Sequence, residues 1–319
     1  MTSILITGGH SGIGLAASRA LAARGFDLVL AGRSPDRMAE VAAALRSEHG
    51  VSVTPLALDL ASLVSVREAA ARLRTLLDSG EVSPLDAILC NAGGRLGGDV
   101  TYSADGHEMT FAANCLGHFL LVELLLPALS EKGRIVYTAS GTHDPDTLDG
   151  KLVGAVVHPD AIALASTGKN GAKPVSSEKR YTTSKLCTVM CAYELHRRLR
   201  KAGSAVSSIA YDPGSVADTE FMRGMPAPVR RLMGSGALRW VMRRIGVTTS
   251  EVGFSGASLA ALAVDAGYAS GKYFQAKEGV LAERRSSRLS YEEALAGKLW
   301  EDSKVLVGLT VDEEPAALR

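Results

Sequence analysis

The sequence has no excess of charge of either sign. Its 319 residues include 35 Lys and Arg against 34 Asp and Glu, which gives a formal net charge of +1 at pH 7. So small a net charge provides no overall field that would attract nucleic acid or an anionic membrane. We therefore expect no nucleic-acid partner.

Cysteine is also scarce. The four residues are Cys90, Cys115, Cys187 and Cys191, and they are too few for the disulfide framework of a small secreted protein. The last two lie four positions apart rather than in a CxxC motif, and no cluster of His or Cys surrounds them. We expect reduced, buried thiols and no metal site.

The sequence lacks a leader and a long hydrophobic run as well. Residues 1–4 show no basic region followed by an apolar core, so no signal peptide is expected. The longest apolar stretch, residues 115–129, contains His118, Glu123 and Pro127 and is too short to span a bilayer. These absences predict a soluble, cytoplasmic protein.

Aromatic residues make up only 5% of the chain. Hydrophobic residues make up 46% and charged residues 22%, as in ordinary globular proteins. A chain of this composition is not dominated by disorder.

Strand-like and helix-like segments alternate along most of the chain. Short apolar runs of strand length lie at residues 4–6, 27–31, 51–58, 85–90, 134–138, 206–211 and 272–275. Helical patterns lie at residues 13–24, 35–49, 64–77, 108–129, 181–201 and 248–267. Apolar strands alternating with helices predict an α/β fold with a Rossmann-type, doubly wound parallel sheet covered on both faces.

Three segments depart from this alternation. Residues 141–180 are polar and Gly-rich and are interpreted as an inserted loop; residues 276–319 form a C-terminal extension with a helical pattern at 290–305. Because there are no internal repeats and no low-complexity linker, we expect one domain over residues 1–319, with a core of about 1–275.

The third departure, residues 215–247, is rich in Met and Arg and contains Trp240. One interpretation is a mobile substrate lid whose Met and Trp side chains adapt to a large apolar ligand. A peripheral membrane patch, basic on one face and apolar on the other, is the alternative. An oligomer contact is a third interpretation, and the lid is the working hypothesis.

What the sequence has in excess is glycine, with 33 residues, or about 10% against a usual ~7%. Four of them lie in residues 7–14, between the first predicted strand and the first predicted helix. A pyrophosphate binds to backbone N–H groups at a helix N-terminus, and Cβ atoms would hold it away. This turn therefore predicts a dinucleotide site. Its candidate residues are Gly8, His10 (expected to be exposed), Ser11, Gly12, Ile13 and Gly14.

The end of the second predicted strand indicates which dinucleotide is bound. NAD-specific sites place an acid there to accept from the ribose 2′-OH, but the sequence has Arg33 followed by Ser34. A guanidinium is always charged and can bind a 2′-phosphate with two parallel hydrogen bonds. The expected cofactor is NADP(H).

Five motifs in chain order resemble those of the short-chain dehydrogenases/reductases, over about residues 1–275. Residues 7–14 resemble their TGxxxGxG turn, residues 91–93 their NNAG motif with Cys90 in place of the first Asn, and residues 181–185 their YxxxK motif. Asp59 resembles the acid beside the adenine ring, and Pro213-Gly214 with Thr219 the segment that holds the nicotinamide carboxamide. The resemblance implies further cofactor contacts at Asp59, Leu60, Asn91, Ala92, Gly93, Tyr181, Lys185, Pro213, Gly214, Val216 and Thr219.

The same resemblance implies a catalytic set of Asn114, Ser140, Tyr181 and Lys185. Tyr181 exchanges a proton with the substrate oxygen, and Lys185, one helical turn on, is expected to lower the tyrosine pKa from its usual ~10. Ser140 and Tyr181 are 41 residues apart, more than the family usually has. Both are expected at the carboxyl edge of the sheet, where an insertion can leave them at one site.

Residues 58–67 and 300–309 resemble protochlorophyllide reductases and retinol-dehydrogenase-like enzymes, and the resemblance extends to daunorubicin-type ketoreductases of secondary metabolism. Ser215 stands where light-dependent protochlorophyllide reductases have a proton-donating Cys, which weakens the case for light-driven C=C reduction. We expect reduction of a carbonyl, or oxidation of an alcohol, on a bulky hydrophobic molecule. The alternatives are C=C reduction, epimerisation or cyclisation, and a non-catalytic dinucleotide sensor; a homo-oligomer is left open.

Overall fold

The computed structural model describes residues 1–96, 98–214 and 250–319. An eight-stranded sheet with the strand order β3-β2-β1-β4-β5-β6-β7-β8 runs through them, parallel except for its last strand. The strands are β1 Ser3–Thr7, β2 Asp27–Gly32, β3 Val53–Ala57, β4 Leu85–Cys90, β5 Leu129–Thr138, β6 Ser207–Asp212, β7 Tyr273–Lys277 and β8 Val280–Arg284.

Helices cover both faces of the sheet. They are α1 Gly12–Ala22, α2 Pro35–His49, α3 Leu63–Asp78, α4 Met109–Phe111, α5 Gly117–Leu125, α6 Leu148–Val153, α7 Ala161–Ala165, α8 Ser177–Lys201, α9 Val252–Val264 and α10 Glu293–Leu306. One buried apolar cluster joins the sheet to α1, α2 and α9, and another joins it to α3, α5, α8 and α10. The predicted doubly wound sheet is therefore confirmed.

The strand order reverses at β1, whose neighbours are β2 on one side and β4 on the other. The connections from β1 and from β4 leave this point in opposite directions, so a crevice opens above the carboxyl ends of the two strands. In open α/β sheets ligands bind at such a switch point. The fold thus brings the loops after β1 and β4 to one place.

The segment predicted as an inserted loop is partly helical, so that prediction was incomplete. Between β5 and α8 it contains α6 and α7, whose first turns are capped by the side chains of Thr147 and Asp160. Strand β8 was not predicted at all. It pairs antiparallel with β7. Its apolar run is only the three residues 280–282, and the strand is half-exposed or exposed along its length.

The apolar helical run that includes α4 and α5 agrees with the helix predicted at residues 108–129. Met109–Ala128 spans 20 residues and is long and apolar enough to cross a bilayer, so the expectation that the apolar stretch is too short to do so was wrong. However, 89% of its 18-residue apolar window is buried inside the fold. The run is a core element covered by protein on its sides.

The C-terminal extension packs onto the face of the sheet that carries α5 and α8. Trp300 of α10 is 1% exposed, and its ring meets Phe119 of α5 edge-on with the centroids 4.8 Å apart. Arg198 of α8 lies over the same indole, 5.0 Å from its centroid. The extension therefore belongs to the main apolar core. The segment interpreted as a lid, residues 215–247, lies outside the described residues.

Candidate active site

A cleft of about 600 Å³ opens at the switch point. Almost all of the described candidate residues line it, although they come from eight separate stretches of chain. Those lining it are Gly8, His10, Ser11, Gly12, Ile13, Arg33, Ser34, Asp59, Leu60, Asn91, Ala92, Gly93, Asn114, Ser140, Tyr181, Lys185, Pro213 and Gly214. Val216 and Thr219 lie outside the described residues.

The glycine-rich turn has the backbone geometry that its glycines permit. Gly8 and Gly12 have φ values of +68° and +52°, in the left-handed region that other residues rarely adopt. Gly14 lies behind the cleft rather than in its wall. A Cβ at Gly14 would be 2.3 Å from the Gly8 carbonyl oxygen and 2.7 Å from Asn91 Nδ2. The turn and the loop after β4 are therefore packed directly against each other.

Thr7, which was not among the candidate residues, joins these two loops. Its Oγ1 accepts hydrogen bonds from the backbone N–H groups of Asn91 and Ala92, both at 2.9 Å. Asn91 Nδ2 in turn donates to the Thr7 carbonyl oxygen at 3.0 Å. A hydroxyl at the end of β1, directly before the first glycine, was the available sequence signal.

The end of β2 presents Arg33 and Ser34 to the cleft, and both are exposed. Ser34 occupies the N-cap position of α2, as predicted, but its side chain makes no capping hydrogen bond. His10 was expected to be exposed and is half-buried. Its ring packs over Gly32, where a Cβ would be 2.5 Å from His10 Cε1.

Asn114 lies in a turn of π-helix, Ala112–Leu116, rather than in a regular helix. Its side chain holds the loop after β4: Oδ1 accepts from the Gly94 N–H, and Nδ2 donates to the Gly94 carbonyl, each at 3.0 Å. Nδ2 also donates to Ser184 Oγ at 2.9 Å. The widened turn aims the amide at this loop, as π-helical turns frequently do at functional sites.

His118, one turn further on, connects Asn114 to Thr7. Its Nδ1 lies 3.3 Å from the Asn114 carbonyl oxygen and its Nε2 2.9 Å from Thr7 Oγ1. Burial lowers the His118 pKa to about 4, so the ring is neutral. Because a carbonyl only accepts, Nδ1 carries the proton and Nε2 accepts from the threonine hydroxyl.

Ser140 and Tyr181 meet despite the 41 residues between them. Ser140 follows the end of β5, Tyr181 lies in the second turn of α8, and the Ser140 hydroxyl is close enough to the phenol to lower its pKa. Thr142 Oγ1 donates to Ser140 Oγ, at 3.1 Å. Thr142 was not a candidate, and its only signal was a second hydroxyl two residues after the serine.

Lys185 lies one turn after Tyr181, with Nζ 5.8 Å from the centre of the phenol ring. The ammonium donates to the Thr138 carbonyl oxygen at 2.9 Å. Burial lowers the pKa of Lys185 to about 8, against the opposing effects of Cys115 and the Asp212 carboxylate.

The expected lowering of the Tyr181 pKa is not found, and that prediction was wrong. Burial raises the pKa of Tyr181 to about 12, the Ser140 hydroxyl opposes the rise, and the Asp212 carboxylate adds to it. The desolvation of the phenolate in this buried position outweighs the stabilising effect of the serine hydroxyl. The tyrosine is a protonated phenol throughout the physiological range.

Asp212, at the end of β6, is an acidic group in the cleft wall that was not among the candidate residues. Its Oδ2 accepts from Tyr273 Oη at 3.0 Å and from Gln275 Nε2 at 2.8 Å, and its Oδ1 accepts from the Gly214 N–H at 2.9 Å. These three donors hold a carboxylate in the wall of the cleft. Its position directly before Pro213-Gly214 was the only sequence signal.

The arrangement fits a dinucleotide. Helix α1 begins at Gly12 and points its free N–H groups at the cleft, where a phosphate would bind. A Cβ at Gly12 would meet no described protein atom within 4 Å, so the space beside the turn is open. From this turn the cleft extends past Asn91 to Tyr181 and Lys185, so one extended ligand can reach both ends.

Comparisons with known proteins agree with this geometry. The short chain dehydrogenase family model matches residues 2–145. Protochlorophyllide reductase A of Oryza sativa subsp. japonica is 35% identical, over 96% of this chain and 80% of that protein. Human retinol dehydrogenase 13 is 32% identical, over 98% of this chain and 87% of that protein.

Solved structures show the same fold. An uncharacterised protein from Mycobacterium Paratuberculosis has a TM-score of 0.69 and 25% identity, over 97% of this chain and 94% of that one. A blue fluorescent protein from a metagenomic library, in complex with NADPH, has a TM-score of 0.61 and 24% identity, over 87% and 97% of the two chains. The chain belongs to the short-chain dehydrogenase/reductase family of oxidoreductases.

Proposed function

We propose that this protein is an NADP(H)-dependent oxidoreductase that reduces a carbonyl, or oxidises the corresponding alcohol, on a bulky hydrophobic small molecule. One observation carries the proposal. The side chains of Tyr181 and Ser140 lie together, with Lys185 one turn away, in the cleft that begins at the glycine-rich turn. A proton donor and a dinucleotide site in one crevice are what carbonyl reduction requires.

The proton comes from Tyr181. When bound, the dinucleotide supplies the hydride to the carbonyl carbon. Ser140 Oγ holds the substrate oxygen beside the phenol, and the phenolic proton passes to that oxygen as it becomes an alcohol. With its pKa raised to about 12, Tyr181 keeps this proton until the substrate oxygen gains negative charge. A protonated donor favours the direction of reduction.

Lys185 and Asn114 assist this proton transfer without donating the proton themselves. The Lys185 ammonium, fixed by the Thr138 carbonyl, stabilises the phenolate that remains after proton transfer. Asn114 fixes the Gly94 backbone and thereby the loop along which the cofactor would lie. Each group holds a fixed position before reaction, so little reorganisation is required during it.

The preference for NADP(H) rests on Arg33 and Ser34. Neither is an acid, both are exposed at the cleft, and the Ser34 hydroxyl makes no capping bond that would occupy it. A 2′-phosphate would be bound by the guanidinium and the hydroxyl together. The NADPH complex of the structurally similar blue fluorescent protein supports the same cofactor.

The substrate end of the cleft supports an apolar ligand. Leu96, Met109, Leu152 and Val153 line it, and Leu152 is 63% exposed. An exposed leucine at a cleft wall is available to pack against an apolar substrate. Retinol dehydrogenase 13 and protochlorophyllide reductase A are named for apolar substrates of this kind.

The test is a carbonyl-substrate screen that follows NADPH consumption, with Tyr181→Phe and a control. Tyr181→Phe should lower kcat by about 10²–10⁴-fold, the usual contribution of a general acid, with nearly unchanged NADPH affinity. Tyr268→Phe is the matched control, because Tyr268 packs edge-on against Phe274 outside the cleft. Wild-type turnover in Tyr181→Phe would show that the assignment is wrong. Product analysis would separate carbonyl from C=C reduction.

A further inference from the structure

His143 lies between Ser140 and the C-terminal extension. It is 1% exposed. Its Nδ1 is 2.7 Å from the Ser140 carbonyl oxygen, and its Nε2 is 3.1 Å from the backbone N of Ser287. The imidazole therefore contacts two segments that are far apart in the chain, one of which carries the serine of the candidate active site.

The two partners determine the protonation of the ring. The Ser140 carbonyl can only accept a hydrogen bond, and the Ser287 N–H can only donate one. Nδ1 therefore carries the proton and Nε2 is the acceptor. Burial also keeps the pKa of His143 below its usual value, although the Ser140 carbonyl and the Asp212 and Asp144 carboxylates oppose this. A neutral ring with one donor and one acceptor fits both partners.

The hydrogen bonds that join Ser140, His143 and Ser287 form a link whose two ends are both held by neighbouring residues. The His143 ring packs against Tyr273 with the centroids 5.2 Å apart, and the Tyr273 hydroxyl donates to Asp212. The Ser287 carbonyl accepts from Ser290 Oγ at 2.6 Å. The neighbouring Ser286 Oγ is 2.8 Å from the hydroxyl of Tyr193 on α8, the helix that also carries Tyr181.

We infer that His143 is a positioning residue, which makes the placement of the Ser140 hydroxyl depend on the docked C-terminal extension. The inference rests on the proposed role of Ser140 in holding the substrate oxygen. Rotation of the peptide after Ser140 would turn its carbonyl away from His143 and move Oγ relative to Tyr181. A misplacement of about 1 Å in such a group can lower the rate substantially.

The hydrogen bond from the Ser287 N–H to His143 can be removed by a substitution at Ser287, which lies in the C-terminal extension, 144 residues from His143. Its φ of −60° and ψ of 153° suit proline, which lacks the N–H. Its buried Oγ has no hydrogen-bond partner among the described residues, so Ser287→Ala is a matched control that retains the N–H. Ser287→Pro should lower kcat about fivefold, the value of one ordinary hydrogen bond, with unchanged NADPH Kd; Ser287→Ala should not.

His143 provides the second pair of variants. Asn at this position keeps a donor where Nδ1 lies, and Gln keeps an acceptor where Nε2 lies. If His143 acts through Ser287, His143→Asn lowers kcat about as much as Ser287→Pro does. The kcat of the double variant is then no lower than that of either single variant. His143→Gln loses the bond to Ser140 itself and should lower kcat whatever happens at Ser287. Two independent losses that multiply in the double variant would overturn the inference.

Amide hydrogen exchange separates this inference from the proposed function. The N–H groups of Thr142 and His143 are bonded to Ser140 Oγ and to its carbonyl oxygen. Their exchange should be faster in Ser287→Pro than in Ser287→Ala at equal thermal stability. If no carbonyl substrate is turned over, the proposed function fails while this readout still tests the link. Equal exchange in the two variants, or equal kcat, would overturn the inference.

Discussion

The side-chain ammonium of Lys185 donates a hydrogen bond to the main-chain carbonyl of Thr138, 2.9 Å away, in the wall of the cleft. Burial lowers the pKa of this ammonium to about 8, whereas that of Tyr181 is raised to about 12. Within the range accessible to kinetics, therefore, the lysine titrates and the tyrosine does not.

We predict that kcat/KM for carbonyl reduction falls on the alkaline side with an apparent pKa near 8. The lysine is charged below its lowered pKa and loses its charge as the pH rises through it, so activity is present at low pH and lost at high pH. The measurement is a profile of kcat/KM from pH 6 to 10. In Lys185→Arg, whose side chain keeps its charge, the alkaline fall should be absent even if the rate is lower. A wild-type profile that stays level to pH 10 would contradict this assignment.

Arg33→Ala should change the choice of cofactor. Loss of a charged partner for the 2′-phosphate should weaken NADPH binding by roughly 10- to 100-fold, in line with ~1.5–3 kcal/mol for a hydrogen bond to a charged group. NADH binding should be nearly unchanged, because it has no 2′-phosphate. Titration of both cofactors by fluorescence measures the ratio. Arg37→Ala is the control, since Arg37 is exposed on α2 and does not line the cleft; an equal effect of both variants would exclude a specific phosphate contact.

Gly12→Ala should mainly weaken NADPH binding, whereas Gly14→Ala should mainly lower the stability of the fold. At Gly14 the new Cβ meets the Gly8 carbonyl oxygen, so stability should fall by about 1–3 kcal/mol. At Gly12 the strain of a positive φ costs about 1 kcal/mol, while the Cβ occupies space that a phosphate needs, so NADPH affinity should fall at least about tenfold.

Chemical denaturation and cofactor titration together distinguish the two variants. Gly253→Ala is the control, because Gly253 is an exposed helical position with nothing within 4 Å of its Cβ among the described residues, where alanine is favoured by about 0.5–1 kcal/mol. Unchanged NADPH affinity in Gly12→Ala would argue against phosphate binding at this turn.

Glu123 should make the protein less stable as the pH rises. Both carboxyl oxygens are buried, and neither has a hydrogen-bond partner among the described residues. Burial raises the Glu123 pKa from about 4.5 to about 8; Glu314 and Glu301 add to the rise, and Lys304 and Arg198 oppose it. Between these pH values the folded protein keeps a proton that the unfolded chain releases, so this stabilising contribution is lost on going from pH 4.5 to 8.

The measurement is the free energy of unfolding at pH 5 and at pH 8. Glu123→Gln should gain stability relative to wild type at the higher pH, by a few kcal/mol at most, since each unit of pKa shift corresponds to about 1.4 kcal/mol. Glu131, exposed on β5, provides the control Glu131→Gln, which should show no such trend. The same difference between Glu123→Gln and wild type at both pH values would show that the carboxyl ionises normally.

The sequence predicted the sheet, and it identified the residues that the sheet brings to one edge. Apolar runs and the turns between them are local signals, and parallel strands carry whatever follows them to the same end. Ser140 and Tyr181 could therefore be placed together across 41 residues without knowledge of the chain between them.

Features that depend on tertiary packing were not visible in the same way. The π-helical turn at Asn114, the Ser140–His143–Ser287 link and the burial that raises the Tyr181 pKa arise only when distant segments are in contact. Strand β8 was missed because its apolar run is short and is followed at once by Glu283 and Arg284. His10 was placed on the surface because the missing Cβ of Gly32 gives no local signal. Such features are set by neighbours in space, which a linear pattern does not show.

The packing of Trp300 against Phe119 also has a consequence for the order of synthesis. Helix α10 leaves the ribosome after every strand of the sheet, yet it covers an apolar face that α5 and α8 have already formed. During translation that face is exposed to water and to other nascent chains. Chaperone binding to ribosome-bound chains should therefore persist until residues 293–306 have emerged and helix α10 covers this face.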